Sequence, residues 1–352
     1  MDKSLQIIFM YILTHIGLIF FLYPANIIQS TEQGFWIPIT ISIVIHFFII
    51  MIYLKGLSYF PKMDIISIFS NTGKIVSFCL LIPIFFYFMM VNVITVRAYS
   101  EIITIVFLSN TPLWAVMALL LIFSSYLAAK GVEAIFRTCF IFSFVFLPIV
   151  LFVFVVSFQN VDWYSVFPFW SSDFSFLTSM PYLKSFFAIG GAFLFPGFIQ
   201  PFFSYQSKKV FLALAILVPC YFLSVYIPVL TFGASTASNF LFPFVMAIDA
   251  VNLTWLMFDR ITMFFLLSIL TFIMLFLSLV LWKTVRIANH YIPSWKPVYI
   301  LIIISTLIYI VSFFIPNWSD VEELFKWNTL LRFYVMIAVP ISVFILGVRA
   351  QK

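Results

Sequence analysis

Two short stretches hold most of the polar chemistry that the apolar interior of this chain can offer. Thr14, His15, Ile16 and Gly17 sit at the middle of an apolar run from Ser4 to Pro24. Gly190, Gly191, Ala192, Phe193, Phe195 and Gly197 sit at the middle of another, from Pro181 to Ser204. Glycine at corresponding places in two halves of a chain points to discontinuous membrane helices. An interrupted helix releases N–H and C=O groups that hydrocarbon cannot hydrate, so they persist only where they line a cavity or are buried in protein. The half-helix ends then present partial positive and partial negative charge, a pair that suits a zwitterion. The competing reading is that these glycines only let helices pack closely. Pro196 and Pro201 add further disruption to the second run.

Other polar groups fit around those breaks. His15 could touch a ligand or control the first break, or simply pack as a satisfied histidine. His46, midway along the second apolar run with no break nearby, reads as structural. Asn92 and Thr95 on the third run could line the pocket or join helices. Phe193 and Phe195 flank the second break and could shape or lid it. The chain has no glycine-rich phosphate loop, no Ser/His/Asp set and no metal-ligand cluster. An enzyme is the least supported reading, and neither a cofactor nor a metal is expected. Cys79, Cys139 and Cys220 each stand alone in apolar sequence and do not read as a disulfide framework.

The elements that position these groups must be membrane helices. Of 352 residues, 64% are hydrophobic and 9% charged, against roughly 45–50% and about 25% in soluble domains. That balance excludes a cytosolic enzyme, a secreted disulfide scaffold, a disordered chain and a nucleic-acid binder. The long apolar runs indicate α-helical spans rather than a barrel. Ten spans are expected: 4–24, 35–54, 75–96, 112–129, 138–157, 181–204, 210–232, 261–282, 298–315 and 333–348. The third should continue as helix to about Leu108, and 242–250 and 321–327 should be short surface helices. The connections alternate in charge, with thirteen basic residues on one side against three on the other. The positive-inside rule then places both termini in the cytoplasm. This tally counts Lys283 and Arg332 in connections, which leaves no Asp, Glu, Lys or Arg in a span core and weakens an ion-coupled transporter. Arg97, Glu101, Asp259 and Arg260 fall at the outer edge and could form an outer-mouth ion network, as a gate or docking surface, or merely as interfacial pairs.

Several stretches resemble the spore germination permeases, the integral-membrane B subunits of germinant receptors within the amino acid/polyamine/organocation transporter superfamily. They are Tyr59-Phe60-Pro61, Asp64-Ile65-Ile66 and Gly73-Lys74; Val96-Arg97 with Ser100-Glu101 and Thr111-Pro112; Lys130-Gly131-Val132-Glu133 with Arg137; and Pro316-Asn317-Trp318 with Glu322-Glu323-Leu324. The departures cluster near the eighth span. Asp259-Arg260 is followed by Thr262 where the family tends to be acidic, and Asp249 stands where a basic residue is more usual. The resemblance implies an all-α polytopic membrane protein forming one domain over residues 1–352. It implies a five-plus-five inverted repeat (LeuT-like), residues 4–157 and 181–348, with broken first and sixth helices. It also implies a spore inner-membrane location, partner A and C subunits, and a small-molecule germinant, often an amino acid. A secondary amino acid transporter and a ligand-gated ion or water conduit are the alternatives.

Overall fold

The computed structural model describes residues 3–203, 206–251 and 261–351, and over these the chain is helical without strands. In chain order the α-helices are α1 (Lys3–Ile19), α2 (Tyr23–Ser30), α3 (Trp36–Ser58), α4 (Ile65–Ser70), α5 (Lys74–Ile102), α6 (Leu113–Ala129), α7 (Val132–Ser157) and α8 (Met180–Ser185). They continue as α9 (Phe187–Gly190), α10 (Phe195–Ile199), α11 (Ser207–Phe232), α12 (Ala234–Ala237), α13 (Pro243–Asp249), α14 (Ile261–Tyr291), α15 (Pro297–Phe313) and α16 (Trp318–Ala350). Seven helical stretches among the described residues are long and apolar enough to cross a bilayer, α8 to α10 counting as one. The bent pair α1 and α2 passes the same test together, and α6 and α15 are apolar helices of 17 residues each.

Helix ends follow local chemistry. Asp64 caps α4, its Oδ1 accepting from the Ser67 N–H at 2.9 Å, as an N-cap aspartate does for otherwise unpaired donors. Gly131, at φ +88°, lets the chain turn sharply between α6 and α7. Glu133, in the first turn of α7, then pairs with Arg137 at 3.1 Å and with Lys3 at 3.6 Å. The α1 start, the α6–α7 connection and the Asp64–Arg286 pair line one end of the bundle. At the other, Trp36 donates to the Phe169 carbonyl at 2.9 Å and Lys184 pairs with Glu322.

Two expectations about the second half are corrected. Residues 321–327 are not a separate surface helix; they are the first turns of α16, which runs unbroken to Ala350. Residues 243–249 are helical, but the apolar face of α13 is buried against α11 and α14 rather than lying free. The third span does run on as expected, through a π-helical turn over Ile103–Phe107 that ends at Leu108.

Candidate functional site

Both runs are interrupted, the second where expected and the first further along, and the same device starts the second part of each. In the sixth span the helix gives way to turn over residues 191–194, and α10 resumes with Pro196 in its first turn. In the first span α1 ends at Ile19 and α2 starts with Pro24 in its first turn, bent by 54°. Proline has no N–H for the carbonyl four residues back and its ring crowds that carbonyl. The ladders end earlier, at the Phe20 to Ile16 and Gly191 to Phe187 bonds, and Pro24 and Pro196 leave the Phe20 and Ala192 carbonyls without a helical donor. The first break therefore falls at 20–22, one turn past the expected Thr14–Gly17. Thr14 and His15 lie in intact helix, Thr14 back-bonding to the Met10 carbonyl at 2.6 Å.

A hydroxyl from a neighbouring helix serves each interruption. The Gly17 carbonyl, whose helical partner would be Phe21, accepts from Tyr99 on α5. The Leu194 carbonyl accepts from Tyr53 on α3 at 3.1 Å. Such pairing is what allows irregular backbone at membrane depth.

The two interruptions also touch. Tyr11 stacks on His15 with centroids 4.2 Å apart, and Phe195 tilts against Tyr11 at 5.8 Å. A Cβ built on Gly191 would stand 2.9 Å from Leu18 and 3.1 Å from Phe276. One on Gly190 would stand 2.8 Å from the Arg332 side chain, and one on Gly17 3.1 Å from Ile273. Gly190 and Gly191 are both helix- or turn-like without positive φ, so their smallness serves close approach and not unusual dihedrals. Ile16, Ala192 and Phe193 are buried in the same core, Phe193 edge-on to Tyr53.

His46 belongs to this cluster, where the sequence pointed only to packing. Its Nε2 lies 2.7 Å from the Tyr11 hydroxyl, and its ring stacks on His15 at 5.4 Å. His15 Nδ1 lies 2.7 Å from the Tyr11 carbonyl, so that nitrogen carries the donor proton. Asn92 donates to the Phe88 carbonyl at 2.9 Å, while its Oδ1 and Thr95 Oγ1 are buried without a partner among the described residues.

Two cations assigned to connections are instead wholly buried. Lys283 on α14 and Arg332 on α16 have 0% exposure. Arg332 donates to Asn328 Oδ1 at 2.7 Å and to the Leu183 and Lys184 carbonyls at 3.3 and 3.0 Å, so it caps the C-terminal end of α8. Both side chains are therefore enclosed by neighbouring helices rather than exposed in connections. Counting residues into each run put these two at the edge, whereas α14 and α16 continue well beyond the apolar runs on which the count was based.

At the other edge, Arg97 pairs with Glu101 as expected, and its Nε donates to the Ile315 carbonyl at 3.0 Å. Asp259 and Arg260 lie outside the described residues. The two departures noted near them meet: Thr262 Oγ1 donates to Asp249 Oδ1 at 3.0 Å.

Cavities flank the closed core at both ends. One of about 520 Å³ is bounded by the Asp64–Arg286 pair, Phe202 and Trp282. The other, of about 970 Å³, is lined by Glu32, Gln33, Asp173 and Ser235 among others. A gap of about 20 Å³ lies beside the first break, between Phe21, Tyr99 and Ile269.

This bundle of apolar helices, with its paired interruptions, matches a known family sequence model. The model of the spore germination proteins covers residues 3–321 of the chain. The chain belongs to that family. No curated protein matches the chain. As a spore germination permease family member, it is a transporter-like membrane protein connected with germination. The matched region of this germination protein contains both breaks, Lys283 and the 130–137 connection, and stops within the first turn of α16.

Proposed function

We propose that this chain is the integral-membrane subunit of a spore germinant receptor. It senses a small polar germinant, an amino acid, where the two interrupted spans meet. The observation that carries the proposal is that meeting: Phe195 lies against Tyr11, and Gly191 against Leu18. Two interruptions each followed by a segment with proline in its first turn, one in each half, agree with an inverted repeat of residues 4–157 and 181–348. The seven long spans, the bent pair and the two 17-residue helices agree with ten crossings. The gathering of Lys3, Lys130 and Arg137 at one end supports cytoplasmic termini. Ligand binding shifts the balance between two arrangements of the bundle, and the shift passes to A and C subunits in the spore inner membrane.

Gly191→Leu tests the proposal. A branched side chain there enters the space held by Leu18 and Phe276. Spores carrying the variant are expected to contain normal amounts of the subunit and to lose germination toward every amino acid the parent strain responds to. Germination at the parental rate would refute the site. The cavities at both ends favour one second reading, a secondary amino acid transporter or conduit. Saturable, gradient-driven uptake into proteoliposomes would decide for transport.

A further inference from the structure

Lys283 and Arg332 are not equivalent. Arg332 spends its donors on Asn328 and the Leu183 and Lys184 carbonyls, so its charge is solvated from within. The Lys283 Nζ has no hydrogen-bond partner among the described residues. The Phe88 ring lies 4.2 Å from the ammonium. A ring face attracts a cation but accepts none of its three protons as an oxygen would. An ammonium taken out of water without acceptors costs several kcal/mol, and ionisable groups held at membrane depth mark ligand or ion paths.

Lys283 is linked to the candidate site through the Phe88 ring. It is eight residues, about 12 Å of helix, from Tyr291, whose hydroxyl reaches the Ser77 carbonyl near the start of α5. The Phe88 ring lies 5.8 Å from Phe198 of α10, just past the sixth-span break. One turn beyond Phe88, Asn92 keeps a bare Oδ1. No Asp or Glu among the described residues pairs with Lys283.

We infer that the Lys283 ammonium is the anchor for the carboxylate of the ligand, with Asn92 Oδ1 placed to accept from the ligand's ammonium. The ligand class is then α-amino acids bound as zwitterions, and the anionic end is read by a side chain rather than by a half-helix end. This rests on the site proposed above but is tested separately, on purified protein.

The experiment measures thermal unfolding of the detergent-solubilised protein with each of the twenty amino acids and with their primary amides, which lack the carboxylate. At least one acid is expected to raise the Tm, and its amide to leave it unchanged. Lys283→Met is expected to fold with an unliganded Tm equal to or above that of the parent, because an unpaired buried charge is removed. Its response to the acid should be lost, with affinity weaker by about 10- to 100-fold, the scale of a hydrogen bond to a charged group. Lys283→Arg should retain a response. The inference is overturned if no acid raises the Tm, if an amide stabilises as well as its acid, if Lys283→Met responds like the parent, or if Lys283→Met lowers the unliganded Tm, which would mark a structural lysine. If spores carrying Gly191→Leu germinate normally while the Tm results hold, it is the receptor site that fails and not the carboxylate anchor.

Discussion

Arg332→Met is expected to be among the most destabilising single changes in the last span. The side chain joins α16 to α8 through the Leu183 and Lys184 carbonyls and holds its own helix through Asn328. Methionine fills much of the same volume but donates nothing. Two main-chain carbonyls at the end of α8 and the Asn328 amide oxygen then lose a charged donor, at about 1–3 kcal/mol for each buried group left unpaired. The expected total is about 3–9 kcal/mol, read as a lower Tm in detergent. Arg332→Lys should recover only part, since an ammonium cannot reproduce the planar fork that spans both helices. The effect should also reach Gly190, whose Cα faces the Arg332 side-chain stem. An unchanged Tm in Arg332→Met would show that the guanidinium is not what joins α16 to the interrupted span.

The second large effect is expected at Gly56. The sequence places this glycine at the cytoplasmic connection after the second span, but α3 continues through it to Ser58. A Cβ there would stand 2.7 Å from the Phe344 main-chain nitrogen and 2.9 Å from its Cα. Those atoms belong to the backbone of α16, so nothing flexible can yield. Gly347 faces back onto the Tyr59 ring, so the two helices cross at mutually small residues, as close membrane-helix pairs do. Gly56→Ala is expected to cost about 1–3 kcal/mol from overpacking. Gly56→Leu should separate α3 from α16 and fail to accumulate as folded protein. Parental Tm and yield for both variants would contradict the close crossing.

The helical class and most span positions are legible in the sequence, because long apolar runs leave few other structures in a bilayer. The sixth-span break is legible as well, since Gly190, Gly191 and Pro196 all point to one place. The first break is displaced because the signal used, Gly17, marks close approach to Ile273. Pro24, which reads as the end of the span, instead starts its second segment in the first turn of α2. The polar cluster is half legible: the sequence points to His15, whereas Tyr11, Tyr53 and Tyr99 look like ordinary aromatics until the fold brings their hydroxyls to main-chain carbonyls or to His46. Lys283 and Arg332 were hidden for another reason. A cation at the end of an apolar run looks interfacial, and only the lengths of α14 and α16 show that each lies inside the bundle. The Thr262–Asp249 bond shows the same limit. Two residues that depart separately from a family pattern become one compensated pair once α13 packs beside α14.

The central claim is that a small amino acid occupies the place where the two interrupted spans meet. The most direct test is an experimental density map of the protein saturated with the amino acid that most raises its Tm. Density for the ligand is expected between residues 14–20 and 190–195, with Leu18 moved away from Gly191 and Phe195 away from Tyr11 to admit it. Ligand density confined to the cavity beside Arg286 or to the one beside Glu32, with the core still closed, would contradict the account.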